Sequence, residues 1–219
     1  MLNGGQERVM TWLARTLSSR WISLGLVAPI AVTDLIIPWH QLGFLQRALV
    51  DEPCHLATAG IVLGAITRIR GRPPSGWFAW ALLASAVLID ADHFPLELGS
   101  SALTAGTSRP YTHALWVIVL LAAAATAARF RSRRRKTPWS AAEASVLAGA
   151  AWGVSAHFLR DVATAPISLW WPVSDAPAQV PYGWYLGALL VIAVIPLWWY
   201  QRRSNEPQSE LTASPCMTR

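Results

Sequence analysis

Long apolar runs separated by short polar or arginine-rich segments dominate the hydropathy pattern of this chain. Six runs stand out, at 21–38, 53–67, 77–89, 110–128, 141–159 and 182–200. A membrane-crossing helix needs roughly 20 mostly apolar residues. The last three runs reach that length unaided. The second and third do so only if polar residues extend them, Glu52 in one case and Asp90 to His93 in the other. The pattern therefore predicts an all-α, polytopic membrane helix bundle of about six transmembrane helices. Before it, residues 1–20 interleave Val9, Met10, Leu13 and Leu17 with arginines, which suits an amphipathic helix lying on the cytoplasmic surface. After it, residues 201–219 are polar and carry Pro207 and Pro215, and they are expected to form a disordered cytoplasmic tail. The six-helix domain is assigned to 21–200.

Composition agrees with the pattern. The chain has 219 residues, 53% hydrophobic and 14% charged, against about 25% charged in an average soluble domain. That shortfall argues against a disordered chain, a nucleic-acid-binding tail protein and a soluble globular fold. Cys54 and Cys216 lie far apart in different contexts, so no disulfide framework is implied. Nothing resembles a cleaved signal peptide.

The net charge of +6 is not spread evenly. Arg8, Arg15 and Arg20 precede the first run, and Arg68, Arg70 and Arg72 separate the second from the third. Arg129 to Lys136 separate the fourth from the fifth, and Arg202 and Arg203 follow the sixth. Basic residues in short loops stay in the cytoplasm, so both termini are expected inside. Tryptophans bracket the runs as interface markers, with Trp21, Trp77, Trp139, Trp198 and Trp199 inside and Trp39, Trp170, Trp171 and Trp184 outside.

Drawn from basic residues alone, this topology places all five histidines (His40, His55, His93, His113 and His157) on the outer side. Asp34, Asp51, Glu52, Asp90, Asp92, Glu97, Asp161 and Asp175 join them. Ionisable groups in or near hydrocarbon need partners, and a divalent metal would neutralise carboxylates and imidazoles together. The spacings Glu52/His55, Asp90/His93 and His157/Asp161, three or four apart, put each pair on one helix face. The expected metal ligands are His55, Asp90, His93, His113, His157 and Asp161. Asp92 or Glu52 would take a proton from the attacking water, as catalytic groups. Mixed imidazole and carboxylate donors suit zinc first, with manganese or iron as alternatives. His40 and Asp34 are expected to support the structure around the site, and Asp51, Glu97 and Asp175 to be solvated loop acids. Arg109 and Arg160, against the positive-inside bias, are expected to bind the substrate's phosphoryl oxygens.

Four segments carry a family resemblance: His55-Leu-Ala-Thr-Ala-Gly60, Leu88-Ile-Asp-Ala-Asp-His-Phe-Pro95, Arg109-Pro-Tyr-Thr-His-Ala114 and Ser155-Ala-His-Phe-Leu-Arg-Asp-Val-Ala-Thr164. Through them the chain resembles the bacterial inner-membrane metal-dependent hydrolases, a YdjM-like family with LexA-regulated members. The motifs span 54–164, about half the chain. The sequence departs from the family pattern at Ser108, where a His would stand, and at Ala114, where a Ser would stand. The resemblance implies a hydrolase. Together with the outward site it predicts cleavage of a lipid-linked or membrane-proximal substrate, a phosphoester first, at the outer face of the cytoplasmic membrane. A membrane lipid is then the expected partner, and nucleic acid is not. A transporter with an outward metal or proton site, and a non-catalytic metal-binding scaffold or sensor, are the alternatives.

Overall fold

The computed structural model describes residues 3–37, 41–104, 109–135 and 137–194. His40, Trp39, Ser108, Lys136 and everything from 195 onward, including the expected tail, lie outside the described residues. The described chain is helical, with one isolated antiparallel bridge between Ile167 and Ala178. Helices α1 (Gly4–Leu17), α2 (Arg20–Ile36), α3 (Phe44–Arg70) and α4 (Gly76–Leu88) come first. A 3-10 turn, Ile89–His93, and the short α5 (Phe94–Glu97) follow. The described residues end with α6 (Leu115–Arg135), α7 (Pro138–Thr164) and α8 (Tyr182–Val194).

Three segments are long and apolar enough to cross a membrane: Phe44–Arg70, Gly76–Glu97 and Leu115–Arg134. A fourth arises if α1 and α2, bent by 82°, count as one broken span. Six crossings are thus not set by helix length and apolarity alone. The two short runs grow as polar extension requires. The second becomes a 27-residue helix with Pro53 inside it, and the third continues from α4 through Asp90 to His93 into α5. Hydropathy stopped early in both because carboxylates and histidines read as loop, whereas here they face the protein interior.

α7 organises the bundle, packing closely with α4 and α6 and also touching α3 and α8. Its glycines explain the close approach to α4: a Cβ on Gly149 or Gly153 would collide with the Phe78 or Leu82 carbonyl oxygen, respectively. Without that Cβ, the Ser85 hydroxyl reaches the Ala150 carbonyl across the seam at 3.2 Å. One core cluster joins Leu63, Phe78, Leu82 and Ala156, and a second joins Ile30, Ile61, Tyr185 and Leu189. The N-terminal segment is helical as expected, opened by an Asn3–Gln6 capping box. It does more than lie on a surface, because Met10, Ala14 and Leu17 pack into the first cluster against α3 and α4. Arg68 ties this end together, donating to the Ser18 carbonyl and the Ser23 hydroxyl at 3.1 Å each and to the Ile192 carbonyl at 3.1 Å.

Because successive long helices run antiparallel, the bundle has a basic end and an acidic end. Arg68, Arg70 and Arg129 to Arg134 lie at the first, with the histidine-bearing helix ends at the second.

Candidate metal centre

Four segments converge at the acidic end. α3 supplies Asp51, Glu52 and His55, and the 3-10 turn supplies Asp90, Asp92 and His93. The turn before α6 supplies Thr112 and His113, and the last turns of α7 supply His157, Arg160 and Asp161. Three residues per turn in a 3-10 helix align Asp90 with His93, and the His93 Nε2 lies 3.5 Å from Asp90 Oδ1.

One group is Asp90, His113, His157 and Asp161, whose ligand atoms all lie within 4.8 Å of one another. His157 Nε2 is 3.4 Å from Asp90 Oδ1 and 3.3 Å from Asp161 Oδ2. His113 Nε2 is 3.1 Å from Asp90 Oδ1 and 3.6 Å from Asp161 Oδ2. The three residues other than Asp90 are buried. Asp90 also belongs to a second group with Asp92, His93 and His113, and to a third with Asp51 and His55. All six expected ligands therefore fall in one connected cluster, and Asp92, expected as a proton acceptor, stands among ligand-type atoms too.

The hydrogen-bond pattern tests whether a cation fits. His157 Nδ1 lies 2.9 Å from the Ala86 carbonyl oxygen. A carbonyl only accepts, so Nδ1 carries the proton and a neutral ring leaves a lone pair on Nε2. That nitrogen is buried without a hydrogen-bond partner and faces two carboxylates. Lone pair and anions repel unless a proton or a cation stands between them. A backbone carbonyl fixing the far nitrogen is also how metal-binding histidines are oriented. The donor set fits zinc, manganese or iron.

His55 is placed differently. Its Nε2 accepts a hydrogen bond from Arg160 Nη1 at 2.9 Å, while its ring stacks on His157 with centroids 3.8 Å apart. The same Nε2 lone pair cannot serve a metal while it holds that bond. In this arrangement His55 orients its neighbours, and its Nδ1 is a buried nitrogen without a hydrogen-bond partner.

Arg160 is buried, with side-chain exposure of 1%. Its guanidinium spans Asp34, at 2.5 Å, and Asp51. Asp34 also accepts from the Tyr182 hydroxyl at 2.8 Å. Asp34 thus has the supporting role expected of it. Asp51, read from sequence as a solvated loop acid, is instead part of α3 and of this network. The missed signal was its own spacing, four residues before His55. Arg109 differs from Arg160: it donates to Asp161 Oδ2 at 2.9 Å yet keeps 20% of its side chain exposed. Glu97 faces Arg47 across 3.9 Å at the surface.

Of the two expected proton acceptors, Asp92 is held by a hydrogen bond from the Thr112 hydroxyl, a partner the sequence reading did not single out. Glu52 has its Oε2 buried without a hydrogen-bond partner and has Asp90, His157 and Asp51 as charged neighbours. A groove of about 430 Å³ opens beside Asp92 between α4, α6 and α7. Trp80, Leu88, Val117, Leu121 and Val154 line its apolar length, and Asp92 and Thr112 stand in its wall.

Residues 51–217 match the model of a family described as the YdjM inner membrane protein. Comparisons with curated proteins and with solved structures returned no match.

Proposed function

This chain belongs to the YdjM inner membrane protein family, a multi-pass inner membrane protein, and from that premise we propose that it is a metal-dependent hydrolase of lipid-linked or membrane-proximal phosphoesters. The observation that carries the reading is the His157 Nε2 lone pair facing Asp90 and Asp161, in a cluster whose Asp92 stands in the wall of an apolar groove. Asp90, His113, His157 and Asp161 would hold the ion, with His93 beside Asp90. A bound divalent ion polarises a phosphoryl oxygen and provides a nucleophile near neutral pH.

The chain's own groups account for the rest. The groove takes the hydrocarbon part of the substrate and brings its ester to Asp92. Arg109, partly exposed and anchored on Asp161, directs guanidinium hydrogens at phosphoryl oxygens, a geometry that suits a planar fork. Water oxygen attacks phosphorus, the bond to the alcohol breaks, and Asp92 Oδ1 or Glu52 Oε2 takes the water's proton. The carboxyl group that took the proton then gives it to the departing alkoxide, which leaves as the alcohol and restores the carboxylate. Arg160 holds α3, α7 and α8 in register around this centre through Asp51, Asp34 and, by way of Asp34, Tyr182.

We also propose six crossings with both termini cytoplasmic and the metal centre outward. α7 supports this: 27 residues rise about 40 Å, enough for a hydrocarbon core of about 30 Å. Its lower apolarity follows from its central place, where side chains meet protein rather than lipid.

The test is hydrolysis by detergent-purified full-length chain of phosphatidic acid and of a polyprenyl phosphate, with metal content measured in parallel. Wild type should release phosphate, and the His157→Ala/Asp161→Ala double variant should lose both metal and turnover. Metal bound without turnover on phosphoester lipids would overturn the phosphoester reading and favour a structural centre.

A further inference from the structure

A second groove lies at the opposite end of the bundle. It measures about 750 Å³, within the range of about 300–1,000 Å³ typical of ligand sites. α7 forms its floor, with α3 and α4 on one side and α6 on the other. Buried Phe78 and half-buried Ile66 make its wall apolar, with exposed Trp152 at its lip, and Arg70, Arg129 and Ser132 stand around its basic end. Both arginines are exposed, and neither makes an ion pair or hydrogen bond among the described residues. Nearby charge does not neutralise them. Only two described carboxylates belong to this end, Glu7 and Glu143, and Glu143 is engaged by Arg131 at 2.7 Å.

α6 adds a second consideration. It packs against α7, and only 6% of its apolar window is buried, so the groove beside it borders the surface that meets lipid. An apolar trough between membrane-crossing helices, closed at one end by two unneutralised guanidiniums and a hydroxyl, has the outline of a single phospholipid. We infer that this groove is a binding site for an anionic phospholipid, its phosphate between Arg70 and Arg129 and an acyl chain along Ile66, Phe78 and Trp152. Basic pockets between transmembrane helices at the basic, cytoplasmic side bind anionic headgroups in this way. The site does not touch the metal centre, and the inference does not depend on hydrolysis.

Native mass spectrometry of the full-length chain tests it, with phosphatidylglycerol and phosphatidylethanolamine of identical chains offered together. Wild type should retain phosphatidylglycerol about tenfold more, a preference of ~1.4 kcal/mol. The Arg70→Gln/Arg129→Gln variant should retain the two equally while binding divalent metal as wild type does, which reports an intact fold. Arg70→Lys/Arg129→Lys should keep part of the preference, since a point charge replaces a fork. If the glutamine variant does not insert, Ala125→Trp serves instead. It fills the groove from the α6 wall with every charge intact and should displace phosphatidylglycerol. Equal retention of both lipids by wild type, or an undiminished preference in the glutamine or tryptophan variant, would overturn the site. So would release of the retained lipid by inorganic phosphate alone, which would mean that the apolar trough contributes nothing.

Discussion

With its Nδ1–H committed to the Ala86 carbonyl, His157 offers only Nε2 to the space shared with Asp90 and Asp161. His157→Ala removes that donor and should weaken divalent metal binding by at least the ~10–100-fold seen when mere outer-shell partners are lost. Metal titration of the purified protein followed by elemental analysis would read it, and wild-type affinity would remove His157 from the ligand set. Arg160 calls for a different measurement. Arg160→Gln leaves Asp34 and Asp51 without their buried counter-charge, and breaking such a pair costs about 3–5 kcal/mol. A large drop in thermal stability in detergent is expected, and an unchanged melt would mean water already solvates the pair. Arg109 lies between these cases. Arg109→Lys keeps a cation beside Asp161 but loses the fork, so phosphoester turnover should fall about tenfold, one contact of ~1.4 kcal/mol, with metal content preserved.

At the scale of elements, the α4–α7 seam determines whether the site exists at all. Asp90 leaves the end of α4 and His157 sits near the end of α7, so their 3.4 Å separation depends on how closely the two helices approach. Gly149 and Gly153 permit that approach. Gly153→Ala should force the helices apart at a cost of about 1–3 kcal/mol, the usual range for overpacking. Metal binding should weaken with it, although no ligand has changed. Gly187, on α8, has nothing within 4 Å of an added Cβ. Gly187→Ala should therefore be neutral or stabilising by up to about 1 kcal/mol. A melting comparison of the two variants separates close packing from helix propensity, and equal effects would refute the seam argument.

Across the whole molecule, the separation of basic and acidic ends sets an orientation. In a chain whose own cysteines are replaced, Ser101→Cys and Asp175→Cys should react with an impermeant thiol reagent added to intact cells. Arg133→Cys should react only after permeabilisation. The reverse pattern would put the metal centre on the cytoplasmic side and change which leaflet supplies the substrate. The same polarity would keep the two proposed lipid sites apart, since Asp92 lines one groove and Arg70 and Arg129 line the other.

Much of this was legible in one dimension. Helical, membrane-embedded character follows from apolar runs because hydrocarbon tolerates few unpaired charges, and arginine clusters marked the basic end because charge bias is a local property. The clustered side chains were legible too, since Asp90/His93 and His157/Asp161 lie within one helix turn, where spacing alone implies a shared face. Helix limits around the site were not. Asp51 read as loop, and only packing against α7 shows that α3 runs through it, because burial against partners supplies what hydropathy lacks. Roles that depend on distant residues were equally out of reach. Arg160 pairs with Asp34 from α2 and Asp51 from α3, and His55 yields its lone pair to that arginine. A charged side chain goes to whichever partner repays its desolvation. Only the tertiary structure decides which partner that is, because only it sets the distances.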